Sequence, residues 1–171
     1  MIQNESPLLA NSIWSATSNG SVPLKKLSSE EQYDVAIIGG GLSGVSVAFH
    51  CALLGLNACL LEKETIGWGA SGRNGGQVIP GLKELPEAVI EHFGQEMGKK
   101  VIALAGGAPD YVFQLIEKYK IDCSASQNGW IQASVSRNGL DTNKKLFRQW
   151  KDQNAPVELL SKPAIQSLIG S

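Results

Sequence analysis

Gly39-Gly40-Gly41-Leu42-Ser43-Gly44 reads G-x-G-x-x-G, and it lies between an apolar, β-branched run and a stretch of helix formers. In that position each glycine has a task. Gly39 permits a tight turn, Gly41 lets a pyrophosphate approach the backbone, and Gly44 allows a helix to pack closely on a strand. The helix that begins at Leu42 and Ser43 would aim unpaired N–H groups and a positive dipole end at phosphate. About twenty residues further on, Glu62 stands where an acid would accept hydrogen bonds from a ribose hydroxyl. Lys63 beside it joins the cofactor-binding candidates, and a solvated Glu62–Lys63 pair is the alternative for both residues. A glycine-rich turn with no ligand is the alternative for the whole motif.

The second glycine-rich stretch is Ala70-Ser71-Gly72-Arg73-Asn74-Gly75-Gly76-Gln77. Nicotinamide domains pass from the second strand to another helix without such a loop, so this segment favours a flavin, FAD, over NAD. Small residues let backbone approach a flat or anionic ligand; Ser71 and Asn74 offer hydrogen bonds, and Arg73 can balance phosphate charge. Gly72, Gly75 and Gln77 complete the candidate set. The competing reading is a surface loop whose glycines serve only to turn the chain.

The elements that must hold these residues are legible around them. Tyr33 to Ile38 reads as a buried parallel strand, Leu42 to Leu54 as a helix stopped by Gly55, and Ala58 to Glu62 as a second strand. That strand, helix, strand succession is the expected unit. Lys63 to Pro80 reads as loop with at most a helical turn. Helical spacing continues over Leu85 to Phe93 and Gly98 to Tyr119, with Gly106-Gly107-Ala108-Pro109 expected to kink or split the second stretch. Ile121 to Ser124, Trp130 to Ala133 and Val157 to Leu160 read as strands, with helices at Leu140 to Asp152 and Pro163 to Ile169. Residues 1–30 lack periodicity and read as an arm on the surface.

Composition narrows the partners. The chain of 171 residues is 43% hydrophobic and 18% charged, enough apolar material for one domain or one domain and part of another. Fifteen basic against sixteen acidic residues, with a net charge of -1, leave no electrostatic footprint for nucleic acid. Cys51, Cys59 and Cys123 are odd in number and lack C-x-x-C spacing, so neither a disulfide framework nor a metal site is expected, and a reducing cytoplasm fits. No apolar run approaches the ~20 residues of a membrane span. His50 and His92 read as surface or helix-end residues, and the cysteines as buried apolar ones.

The runs Asp34 to Gly41, Leu61-Glu62-Lys63 and Ile66 to Gln77, with Ser71-Gly72-Arg73-Asn74-Gly75-Gly76 the most specific, resemble FAD-dependent oxidoreductases of the D-amino-acid oxidase (DAO) family, gamma-glutamylputrescine oxidoreductases among them. The likeness extends through Tyr119 to Cys123 and Gly129-Trp130 to Leu159-Leu160-Ser161, and the arm with Ser12-Ile13-Trp14 is similar too. The resemblance implies oxidation of a C–N bond of an amine or amino acid by hydride transfer to flavin. It places Gly39, Gly41 and Gly44 at the pyrophosphate, Glu62 at the adenosine ribose, and Ser71, Arg73, Asn74 and Gln77 along the FAD toward its reactive end.

The fold implied is α/β: an incomplete FAD-binding Rossmann-type domain over 31–126, followed by the start of an α+β substrate domain over 127–171. Family members are longer, so the expectation is an N-terminal portion that depends on a missing C-terminal part, with no catalytic residue to name. A partial parallel sheet would leave an apolar edge exposed. Two other readings stand beside it: an NAD-dependent dehydrogenase, and a non-catalytic remnant of a truncated gene or incomplete gene product.

Overall fold

The computed structural model describes residues 8–20 and 22–170. The first seven residues and Ser21 of the expected arm, and Ser171, lie outside the described residues. Two compact units divide the chain, the first ending at Gln77 and the second beginning at Val78.

In the first unit the arm contains one helical turn, α1 (Ile13–Ala16), where no periodicity signals one. Ser12 caps it and Ser15 reciprocates, so two amides left open at the helix start are satisfied within four residues. Strand β1 (Val35–Ile38) pairs in parallel with β2 (Ala58–Leu61), in the register Val35 to Ala58 through Ile38 to Leu61. The pairing is pinned at both ends. At the start, the Asp34 amide donates to the Asn57 carbonyl at 2.9 Å while the Asn57 amide donates to the Asp34 carboxylate at 2.8 Å. At the far end, the Gly39 amide donates to the Leu61 carbonyl at 2.8 Å.

Helix α2 (Leu42–Leu53) makes the crossover between the strands. Ile37 of β1 and Cys51 of α2 are the buried apolar side chains of this unit. The sheet has two strands among the described residues, and Ile38, at the end of β1, is 90% exposed.

The second unit is helical. Helix α3 (Pro86–Tyr119) begins with proline inside its first turn, where the missing N–H costs nothing. It is broken at Gly94, whose φ of 77° and ψ of 168° lie outside the helical region. The break falls in the interval between the two expected stretches, and the further break expected at Gly106 to Pro109 does not occur. Pro109 removes the amide that would bond the Ala105 carbonyl, yet the helix continues, because the Gly81 amide from the preceding loop donates to that carbonyl at 3.0 Å. Among the described residues of this unit Val89 and Ile102 are buried, and Pro86 is fully enclosed.

Helix α4 (Arg137–Asp152) starts three residues before the expected Leu140, because Ser136 accepts from the Gly139 amide and caps it. It meets α3 through a reciprocal pair: the Glu87 amide donates to Gln149 Oε1 at 3.0 Å, and Gln149 Nε2 donates to Glu87 Oε2 at 2.8 Å. Helix α5 (Lys162–Ile169) is capped by Ser161 and ends on a left-handed Gly170. The strands expected at 121–124, 130–133 and 157–160 are irregular chain. Among the described residues their β-branched and aromatic side chains find no partner strand in this unit, and β propensity without a packed face does not make a sheet. Cys51 is buried and Cys59 half-buried, but Cys123 is exposed, so only the first two fit the apolar reading. Among the described residues no helix is long and apolar enough to cross a membrane.

Candidate cofactor-binding site

The first glycine-rich segment is held from three directions. Gly39 takes a φ of 103°, a conformation closed to side chains with a Cβ, and the space where a Cβ would project is open to 4 Å. Gly44, in the first turn of α2, lies so close under Gly39 that an added Cβ would run into the Gly39 carbonyl oxygen and reach Ile37 Cγ2 at 3.4 Å. This is the close strand-to-helix approach expected of that position. Gly41 precedes the helix as its N-cap and offers no side chain to it. The first turn also carries no acid, so its positive end is uncompensated from within the helix.

Glu62 follows β2 and turns its carboxylate toward backbone. Oε1 accepts from the Glu64 amide at 2.9 Å, and Oε2 from the Gly40 amide at 2.6 Å. These amides, Glu64's first and Gly40's second, favour the charged form and hold the carboxyl below the ordinary glutamate range, against the opposing effect of burial. The Lys63 amide adds a smaller effect in the same direction as the other two amides. Lys63 pairs with Glu64, Nζ to Oε1 at 3.3 Å, at the surface.

The second glycine-rich segment is brought onto the first by Ser71. Its hydroxyl oxygen accepts from the Leu42 amide at 2.9 Å, supplying the cap that Gly41 lacks. A Cβ at Gly41 would stand 2.9 Å from that hydroxyl, so the room at Gly41 is used by Ser71. The Gly40 carbonyl accepts from the Gly67 amide at 2.9 Å and closes the junction from the other side.

Asn74 braces the loop rather than projecting from it. Its Nδ2 donates to the Ser71 carbonyl and its Oδ1 accepts from the Gly76 amide, both at 2.7 Å. Arg73 also folds back: Nε donates to the Trp68 carbonyl at 3.1 Å and the guanidinium lies 4.9 Å from the centre of the Trp68 ring. A 3₁₀ turn over Ala70–Gly72 shapes the start of this loop, which brings Gly72 up against the Gly67 carbonyl oxygen. Ser43, Gly75 and Gln77 are exposed.

The structure thus gathers Gly39, Gly41, Leu42, Gly44, Glu62 and Ser71 around one junction, while Arg73 and Asn74 serve the loop's own shape. Ile66, whose Cδ1 lies where a Cβ on Gly40 would stand, is a contributor that spacing does not reveal. Trp14 is another: its indole N–H donates to the Asn74 carbonyl at 2.8 Å. His50 turns Nδ1 to the Ser46 carbonyl of its own helix at 2.7 Å.

Open glycine backbone at Gly39, helix-start amides at Ser43 and Gly44 with no intrahelical partner, and an ionised carboxylate at Glu62 form a donor and acceptor set suited to a dinucleotide's phosphates and ribose. The family model for DAO, FAD dependent oxidoreductase, matches residues 34–170. The chain belongs to that family. FAD is the cofactor of the DAO family.

Among curated relatives, the chain is 29% identical over 162 residues to gamma-glutamylputrescine oxidoreductase of Escherichia coli K12, covering 94% of this chain and 38% of that protein. It is 30% identical over 145 residues to the probable oxidoreductase OrdL of Haemophilus influenzae, covering 82% of this chain and 33% of that one. Over a shorter stretch of 84 residues it is 34% identical to the aerobic glycerol-3-phosphate dehydrogenase of Staphylococcus haemolyticus, covering 49% of this chain and 15% of that enzyme. The DAO chain described here spans little more than a third of the first of these relatives. No solved structure matches it.

Proposed function

We propose that this chain is the cofactor-binding portion of an FAD-dependent oxidoreductase that oxidises a C–N bond of an amine or amino acid. The observation that carries this reading is the bond from the Leu42 amide to Ser71 Oγ, which joins the two glycine-rich segments into one site. A turn that served only to reverse the chain would need no such tie. In this reading 31–126 is an FAD-binding Rossmann-type domain and 127–171 the start of a substrate domain. The name of the Escherichia coli relative, gamma-glutamylputrescine oxidoreductase, supports an amine as substrate class.

The chain's residues would act by binding and orientation. Gly39 leaves the backbone open to the pyrophosphate, Gly41 and Gly44 line it by letting Ser71 and the helix come close, and the first-turn amides of Ser43 and Gly44 donate to it. Glu62, kept ionised by the amides of Glu64 and Gly40, accepts from the ribose hydroxyls. Ser71 keeps the loop to Gln77 against the helix start, with Arg73 and Asn74 fixing that loop's course and Gly72, Gly75 and Gln77 extending it toward the reactive end. When bound, FAD supplies a ring that accepts hydride from the substrate carbon, and water hydrolyses the resulting imine. Lys63 contributes positive charge beside the ribose site.

The test is the visible absorbance spectrum of the purified chain after addition of FAD and removal of excess. Bound flavin at one per chain is the expected result. A folded chain that retains no flavin would sink the reading for this chain.

A further inference from the structure

The arm and the second glycine-rich segment are joined by one residue. Trp14, in α1, donates its indole N–H to the Asn74 carbonyl at 2.8 Å, across sixty positions of sequence. The same ring packs closely against Gly76: a Cβ there would come within 2.7 Å of Trp14 Cζ2. Asn74 in turn bonds Ser71 and Gly76, and Ser71 bonds the Leu42 amide. Hydrogen bonds therefore run without interruption from Trp14 to the start of α2. Trp14 is 41% exposed, laid over the loop and not sunk in the core of Ile37 and Cys51.

We propose that Trp14 is a positioning residue of the cofactor site, its indole clasping the Ser71–Gln77 loop and holding it in the shape that receives FAD; the role in cofactor binding rests on the function proposed above. The clasp combines a ring packed on a glycine with one donor aimed at a carbonyl. Ring and donor can be removed separately. The anchoring residue sits on the surface, so its loss loosens the loop and leaves the sheet and its crossover helix in place.

Limited trypsin digestion of the full chain reads the clasp directly, because Arg73 lies inside the clasped loop and Lys63, exposed in the same unit, is an internal reference. Trp14→Ala is expected to raise cleavage after Arg73 by about five-fold or more relative to cleavage after Lys63, the factor that one lost hydrogen bond with its packing would give. Trp14→Phe keeps the ring on Gly76 without the donor, and should restore part of the protection. An unchanged ratio, or cleavage rising equally at both sites, would overturn the clasp.

Flavin fluorescence titration supplies the second arm. Where the wild-type chain binds FAD, Trp14→Ala should weaken binding by a similar factor, with Trp14→Phe intermediate; equal affinity in all three would overturn the positioning role. A wild-type chain that takes up no FAD counts against the proposed function alone, and the cleavage ratio then decides the clasp by itself.

Discussion

Ser71 caps a helix that begins twenty-nine residues before it, its hydroxyl oxygen accepting the Leu42 amide at 2.9 Å. A cap is ordinarily local, supplied by the residue that precedes the helix. Here Gly41 occupies that position and leaves the amide open, so the loop bearing Ser71 must dock before α2 is satisfied. The cap of the helix start and the seat of the second glycine-rich segment share this one bond.

Ser71→Ala should therefore cost about 1 kcal/mol of stability, the usual worth of such a bond, and lower FAD affinity several-fold. Thermal denaturation measures the first and flavin titration the second. A stability loss with unchanged FAD affinity would separate the cap from the cofactor site.

Gly44→Ala places a methyl group against the Gly39 carbonyl oxygen. Backbone must move to admit it, and about 1–3 kcal/mol of destabilisation is expected from overpacking of this kind. Urea denaturation beside Ser46→Ala, an exposed position of the same helix, shows whether the loss belongs to the site or to any change in α2.

Glu62 gives the unit an acid dependence. Its carboxyl is held below the ordinary value of 4.5, so the folded state binds the proton more weakly than the unfolded chain does. The stabilisation is complete above about 4.5 and is lost as pH falls through the lowered folded value. In Glu62→Gln that part of the pH dependence should vanish. Urea melts of both forms from neutral pH downward test this: the wild-type and variant curves should converge in acid, and parallel curves would remove Glu62 as the cause.

Gly94 breaks α3 with a φ of 77° and a ψ of 168°, a region essentially reserved for glycine. Nothing lies within 4 Å of the position a Cβ would take, so Gly94→Ala meets backbone strain and no collision. A loss of about 1–3 kcal/mol is expected, read by denaturant melts. A gain in helix content by circular dichroism without loss of stability would mean that the break straightens freely.

The first unit was legible in the sequence because each of its elements carries a local signal. The run Val35 to Ile38, the glycines after it, the small residues of α2 and the run Ala58 to Leu61 agree with one another, and the structure places strand, helix and strand close to those limits. Glu62 and Ser71 were named from their types, but their actual partners, the amides of Gly40, Glu64 and Leu42, are backbone groups that no sequence pattern displays. The second unit was less legible. The gap between the stretches Leu85 to Phe93 and Gly98 to Tyr119 matches the break at Gly94, but the further break expected at Gly106 to Pro109 is missing, and the sequence cannot show that a Gly81 amide arrives to occupy the carbonyl Pro109 leaves open. The three strands expected after Tyr119 failed for a related reason, since a strand exists only through its neighbour.

Gly44 beneath Gly39 has a consequence at the level of the gene. Every single-nucleotide change of a glycine codon that alters the residue yields one with a Cβ, or a stop, and the Gly39 carbonyl has no room for that atom. Codon 44 is thus free to drift only in its silent third base. In a saturation library scored for intact folding, every substitution in its column should score below glycine, while that of Ser46, two positions further along the same helix, stays populated.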